Sequence, residues 1–153
     1  MKPFEDRNQG NSGKMGVVPV CSRLSERPLH ALLTIIPQEQ WPVSYVLVPR
    51  DLPGVIQEAD GLLHAEVSLP VRWEMIADDE VYASSGCLCC SLRSETGAAL
   101  GRLFMSLLSR RQPKVSTVYV LTKSEDSAPL KDMVRHSPFL AQRYYISGEA
   151  VLG

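Results

Sequence analysis

Short apolar runs alternate along this chain with stretches of helical period, and proline or polar turns separate them. Val17 to Cys21 reads as a buried strand, with Pro19 as an awkward member because it cannot donate to a ladder. Pro28 suits the first position of a helix, and Leu29, Leu32, Leu33 and Ile36 then share one helical face until Pro37 and Pro42 end it. Val43 to Val48 predicts a second buried strand, halted by Pro49. A turn at Pro53-Gly54 leads into a short helix over Val55 to Leu63. Glu66 to Val71 alternates Val67, Leu69 and Val71 with polar neighbours and reads as a strand, as does Glu80 to Ala83. Thr96 to Arg110 is the strongest helix, gathering Leu100, Leu103, Phe104, Leu107 and Leu108 on one side. A strand follows from Lys114 through Val115, Val118, Val120 and Leu121, then a helix over Pro129 to His136 and a strand over Tyr144 to Ile146. Strands alternating with helices predict an α/β domain whose largely parallel sheet is flanked by helices.

Residues 1–16 lack any apolar period and read as a disordered leader, leaving 17–153 as one domain without internal repeats. With Lys+Arg 16 against Asp+Glu 17, no basic field is present to attract nucleic acid. Runs such as Ala31 to Ile36 fall far short of the ~20 apolar residues a membrane span requires. Met1 to Met15 has no apolar core of a signal peptide, so the expectation is a cytoplasmic protein with neither membrane nor nucleic acid as partner.

That location decides how the 4 cysteines read, because a reducing compartment disfavours structural disulfides. Cys87, Cys89 and Cys90 cluster in Gly86-Cys87-Leu88-Cys89-Cys90. Cys87 and Cys89 can direct both sulfurs to one side of an extended turn, and a bend at Cys90 adds a third donor. Gly86 permits the dihedrals such a turn requires. Zinc prefers soft thiolates in a tetrahedron at ~2.3 Å, which a tight loop can supply. A helix beginning near Ser91, together with Arg93, would lower the thiol pKa values. Cys21, Asp51, Glu58, His64 and Glu80 are candidates for a fourth ligand. The spacing alone leaves metal binding, core packing of free thiols and redox chemistry open.

The segment Gly86-Cys87-Leu88-Cys89-Cys90-Ser91-Leu92-Arg93 resembles the Gly-Cys-x-Cys-Cys-Thr-Leu-Arg segment of the CobW family of metal-handling GTPases. That family groups with the HypB and UreG type of P-loop proteins, which deliver zinc, cobalt or nickel. The resemblance runs thinly over about residues 17–150 and implies a P-loop NTPase type of fold, with Cys87, Cys89 and Cys90 as metal ligands. Where the family carries its Gly-x-x-Gly-x-Gly-Lys-Thr-Thr phosphate loop, this chain reads Ser22-Arg23-Leu24-Ser25-Glu26-Arg27-Pro28-Leu29-His30. A phosphate cradle needs converging backbone N–H groups, a lysine and a hydroxyl for Mg²⁺; here no glycine is present and Pro28 replaces the lysine. The family's Glu-Thr-Ser-Gly-x-Ala-Asp-Pro becomes Thr122-Lys123-Ser124-Glu125-Asp126-Ser127-Ala128-Pro129, and its guanine-reading motif and C-terminal domain would lie beyond Gly153.

The expectation is therefore a degenerate CobW-like domain, a pseudo-GTPase with no catalytic residues and no nucleotide. It would buffer, sense or transfer zinc or another thiophilic ion to a client metalloprotein. Two alternatives stand beside it: an interaction module pairing with itself or with an intact GTPase, and a GTP-dependent metallochaperone with an unrecognised nucleotide site. His30, His64 and His136 are scattered and read as surface or hydrogen-bonded histidines, Asp78-Asp79-Glu80 as a solvated acidic turn, and Trp41 and Trp73 as packing residues.

Overall fold

The computed structural model describes residues 13–22, 26–76, 95–122 and 127–152. Its elements in chain order are β1 (Met15–Cys21), α1 (Pro28–Leu33), a 3₁₀ turn (Gln38–Val43), β2 (Ser44–Pro49), α2 (Val55–Ala65) and β3 (Arg72–Ile76). They continue with α3 (Glu95–Leu108), β4 (Thr117–Thr122), α4 (Ala128–His136), the single turn α5 (Pro138–Ala141), β5 (Tyr144–Ile146) and β6 (Ala150–Val151). The sheet order is β3-β2-β4-β1-β5, with β6 also against β1. Every strand pairing among the described residues is parallel.

Parallel strands covered on both faces need apolar side chains at successive positions, and β2 shows this directly. Tyr45 and Leu47 enter the core under α3, α4 and α5, while Val46 and Val48 enter the core under α1 and α2. Leu100 and Leu103 of α3, Leu130 of α4 and Leu140 of α5 close the first layer. Leu29 and Leu32 of α1, with Val55 and Leu62 of α2, close the second. The result is an α/β domain with helices on both sides of one parallel sheet.

Pro19 finds its place in a central strand through a break in its neighbour. β1 pairs with β5 over Met15–Val17 and with β6 over Val20–Cys21. Between these, Val18 and Pro19 face Ser147, Gly148 and Glu149, one residue more than a regular ladder would hold, so the proline sits where the ladder is already interrupted. Ser147 N–H donates to the Val17 carbonyl at 3.0 Å and Leu152 N–H to Cys21 at 2.7 Å, closing the break on either side.

The strand expected over Glu66 to Val71 is not formed. Glu66 instead takes a left-handed conformation (φ 54) as the C-cap of α2, and Val67 N–H bonds back to the Leu62 carbonyl at 3.0 Å. Capping α2 this way uses the groups a ladder would need, and pairing with β2 starts only at Arg72. The alternation was real, for it continues through Trp73 and Met75, but the strand lies further along it. Boundaries also shift: β1 begins at Met15, α1 ends at Leu33 with Thr34 as its cap, and β4 begins at Thr117, while β2, α2, α3 and α4 move by one or two residues. The expected strand over 80–83 and the leader up to residue 12 lie outside the described residues. No described helix is long and apolar enough to cross a membrane.

Candidate functional site

In an open parallel sheet, clefts form beyond the carboxyl ends of the strands, where connections leave in opposite directions. Here β1 connects across β4 to β2, and β4 connects across β1 to β5, so that point lies between Cys21-Ser22 and Thr122. Ser22 N–H donates to the Thr122 carbonyl at 2.8 Å. Ser22 is fully buried and its hydroxyl has no hydrogen-bond partner among the described residues. Beside it, Pro19, Cys21, Thr122, Ser127 and Glu149 line a cleft of about 270 Å³. The Ser127 hydroxyl donates to Glu149 at 2.8 Å and Lys131 Nζ lies 2.7 Å from the same carboxylate. Bonding to Lys131 first and Ser127 second holds the Glu149 carboxyl below its ordinary range.

The expected metal ligands Cys87, Cys89 and Cys90 lie outside the described residues, as does Glu80. The chain order nevertheless fixes where their segment is tethered. Described structure before it ends at Ile76, the carboxyl end of β3, and resumes at Glu95 in α3. Both Cys21, at the end of β1, and Asp51, just past β2, belong to that same carboxyl edge. His64 does not: it lies in the last turn of α2, towards the opposite edge, with Nδ1 2.9 Å from the Asp60 carbonyl. Among the described residues, no three His, Cys, Asp or Glu side chains come together as a metal-holding group.

Glu58 has another use. It stands in the first turn of α2 with its side chain 1% exposed, and it reaches across to the N-terminus of α1. Its Oε1 accepts from Leu29 N–H at 2.8 Å, and its Oε2 accepts from His30 N–H at 2.9 Å and contacts His30 Nδ1. Helix α1 lacks a cap of its own, since the Arg27 side chain at the N-cap makes no capping bond, and Glu58 supplies the acceptors from 28 and 29 residues away. Both oxygens of Glu58, one of the candidates for a fourth ligand, are engaged at the start of α1. His30 is the hydrogen-bonded histidine its isolation suggested: its Nε2 lies 3.3 Å from an Arg27 guanidinium nitrogen.

Sequence reasoning placed Glu58 only among possible ligands, because a cap supplied by a distant helix leaves no local motif. The available signal was the missing Ser, Thr, Asp or Asn before Pro28. Gly54 holds the two helices in this arrangement. It adopts φ 84 as the N-cap of α2, and a Cβ built there would fall 2.3 Å from the Glu26 carbonyl oxygen.

Comparison of this chain with protein families, with curated proteins and with solved structures found no match.

Proposed function

We propose that this is a CobW-like metal-handling protein that binds zinc, or a similar thiophilic ion, through Cys87, Cys89 and Cys90 without hydrolysing GTP. The observation that carries the reading is the segment Gly86 to Arg93, with three thiols in four positions behind a glycine. Its tether to the carboxyl end of β3 supports it, because ligands of open parallel sheets bind on that side. Three thiolates leave one position of a tetrahedron for water or a partner's donor, which suits a carrier that releases its cargo. Release then proceeds by exchange with the thiols of a cytoplasmic client metalloprotein.

The pseudo-GTPase part of the reading is supported by Glu58. A phosphate at the start of α1 would use the backbone N–H groups of Leu29 and His30, and a carboxylate already accepts from both. A nucleotide would have to displace a buried negative charge with another and would find neither lysine nor glycine in Ser22 to His30. The test is zinc uptake by reduced protein with and without GTP, alongside a GTPase assay. The expected result is uptake independent of nucleotide and no turnover. GTP turnover that disappears on substituting residues between Ser22 and Leu29 would overturn the reading.

A further inference from the structure

The free side of β3 carries a second feature, independent of the cysteine segment. Among the described residues β3 is an edge strand, paired with β2 alone. Native edges are commonly guarded by charged side chains, but the two charges of this strand are committed elsewhere. Arg72 donates to the carbonyls of Pro42, Pro113 and Lys114 and to the Gln112 side chain. Glu74 accepts from the Tyr45 hydroxyl at 3.1 Å and from Arg102 at 2.8 Å. On the face towards α2, the strand presents Trp73 and Met75 instead.

Those two side chains and Leu69 form the floor of a cleft of about 600 Å³ between β3 and α2. Its walls are the most exposed apolar residues of this region: Leu63 is 76% exposed, Val67 53% and Ile56 48%. Arg50 and Asp60 also line it, and neither side chain has a partner among the described residues. The cleft thus sets apolar walls, one cation and one anion beside a strand edge that is unpaired among the described residues. A two-fold axis reverses the direction of the cleft, so the cation of one copy can meet the anion of the other.

We propose that this face is where a second copy of the chain docks, with β3 of each copy adding antiparallel to the other and Leu63, Val67 and Ile56 buried between them. The backbone bonds supply the strand pairing, the apolar walls supply the area removed from water, and the Arg50–Asp60 pairs fix the register.

Sedimentation velocity of the full-length chain over a wide concentration range tests this. The expected result is a monomer–dimer equilibrium abolished by Leu63→Glu, a substitution at an exposed site that leaves the fold intact by circular dichroism. Arg50→Glu and Asp60→Arg should each weaken association by about tenfold or more, and mixing the two variants should restore it, because the mixed dimer regains both oppositely charged pairs. A chain that stays monomeric at every concentration overturns the proposal and leaves the cleft to an unrelated partner. A dimer indifferent to Leu63→Glu and to the charge reversals overturns it as well. So does a monomer whose β3 amides are protected from hydrogen exchange, which would put another segment of the same chain on the edge.

Discussion

Replacing Glu58 by alanine removes the acceptors that begin α1, and the cost can be worked from the contacts. Two backbone N–H groups and one imidazole nitrogen meet this carboxylate. A hydrogen bond to a charged group contributes ~1.5–3 kcal/mol, but part of that is offset in the wild type by the cost of burying the charge. In the variant the Leu29 N–H stays buried without an acceptor, at ~1–3 kcal/mol, whereas the half-buried His30 can turn to water. The vacated volume beside Leu62 adds a smaller amount. The sum is about 3 kcal/mol, which for a chain of 153 residues lowers Tm by about 6–12 °C. Glu58→Gln keeps one acceptor but turns an NH₂ towards a donor, and should lose about 2 kcal/mol. Urea unfolding followed by tryptophan fluorescence gives both values. Hydrogen exchange should also show Leu29 to Leu33 opening more than the sheet, since six residues of helix have little stability of their own. A loss below about 1 kcal/mol in Glu58→Ala, with exchange in α1 unchanged, would refute the assignment of Glu58 as the cap.

Two further outcomes follow from neighbouring parts of the fold. Gly54→Ala should destabilise by about 2–4 kcal/mol in the same assay, combining the left-handed backbone with the clash on Glu26. Gly54→Asn, which tolerates the backbone angle but still carries a Cβ, should recover little; full recovery would show that the angle alone matters. Burial first, and the Glu74 carboxylate second, push the Tyr45 hydroxyl up to about 12 from the ordinary 10. Burial moves Tyr144 in the same direction. A raised phenol favours the folded chain fully below pH 10, and that contribution disappears between pH 10 and about 12. Stability should therefore fall across this window while native tyrosinate absorbance lags behind that of the unfolded chain; coincident titrations would contradict it.

How much of this was legible beforehand depends on whether the determining interaction was local. The buried runs of β1, β2 and β4 and the apolar faces of α1, α2 and α3 are periodic in the sequence, and each formed within a few residues of its expected place. The strand after α2 was misplaced because the alternation runs unbroken from Val67 to Met75, and Pro70, which cannot donate to a ladder, was the one local mark that the pairing lies beyond it. That boundary is set by the left-handed turn at Glu66 and by Arg72, whose partners lie 30 and more residues away. Pro19 argued against a central strand, and only the break between β5 and β6 explains its position. The capping role of Glu58 was illegible for the same reason: both partners are remote in sequence, and neither helix shows the need except as a cap that is missing. With the cysteines the relation is reversed. Cys87, Cys89 and Cys90 are expected ligands from four consecutive positions alone, and the fold adds only the end of β3 after which their segment follows.

The most direct test of the central claim is an anaerobic titration of the reduced protein with zinc against a chromophoric chelator, run beside the triple variant Cys87→Ser, Cys89→Ser, Cys90→Ser. The account predicts tight uptake of about one equivalent without nucleotide, abolished in the variant. Weak uptake, or uptake unchanged in the variant, would contradict it and leave the proposed docking face at β3 as the feature to pursue.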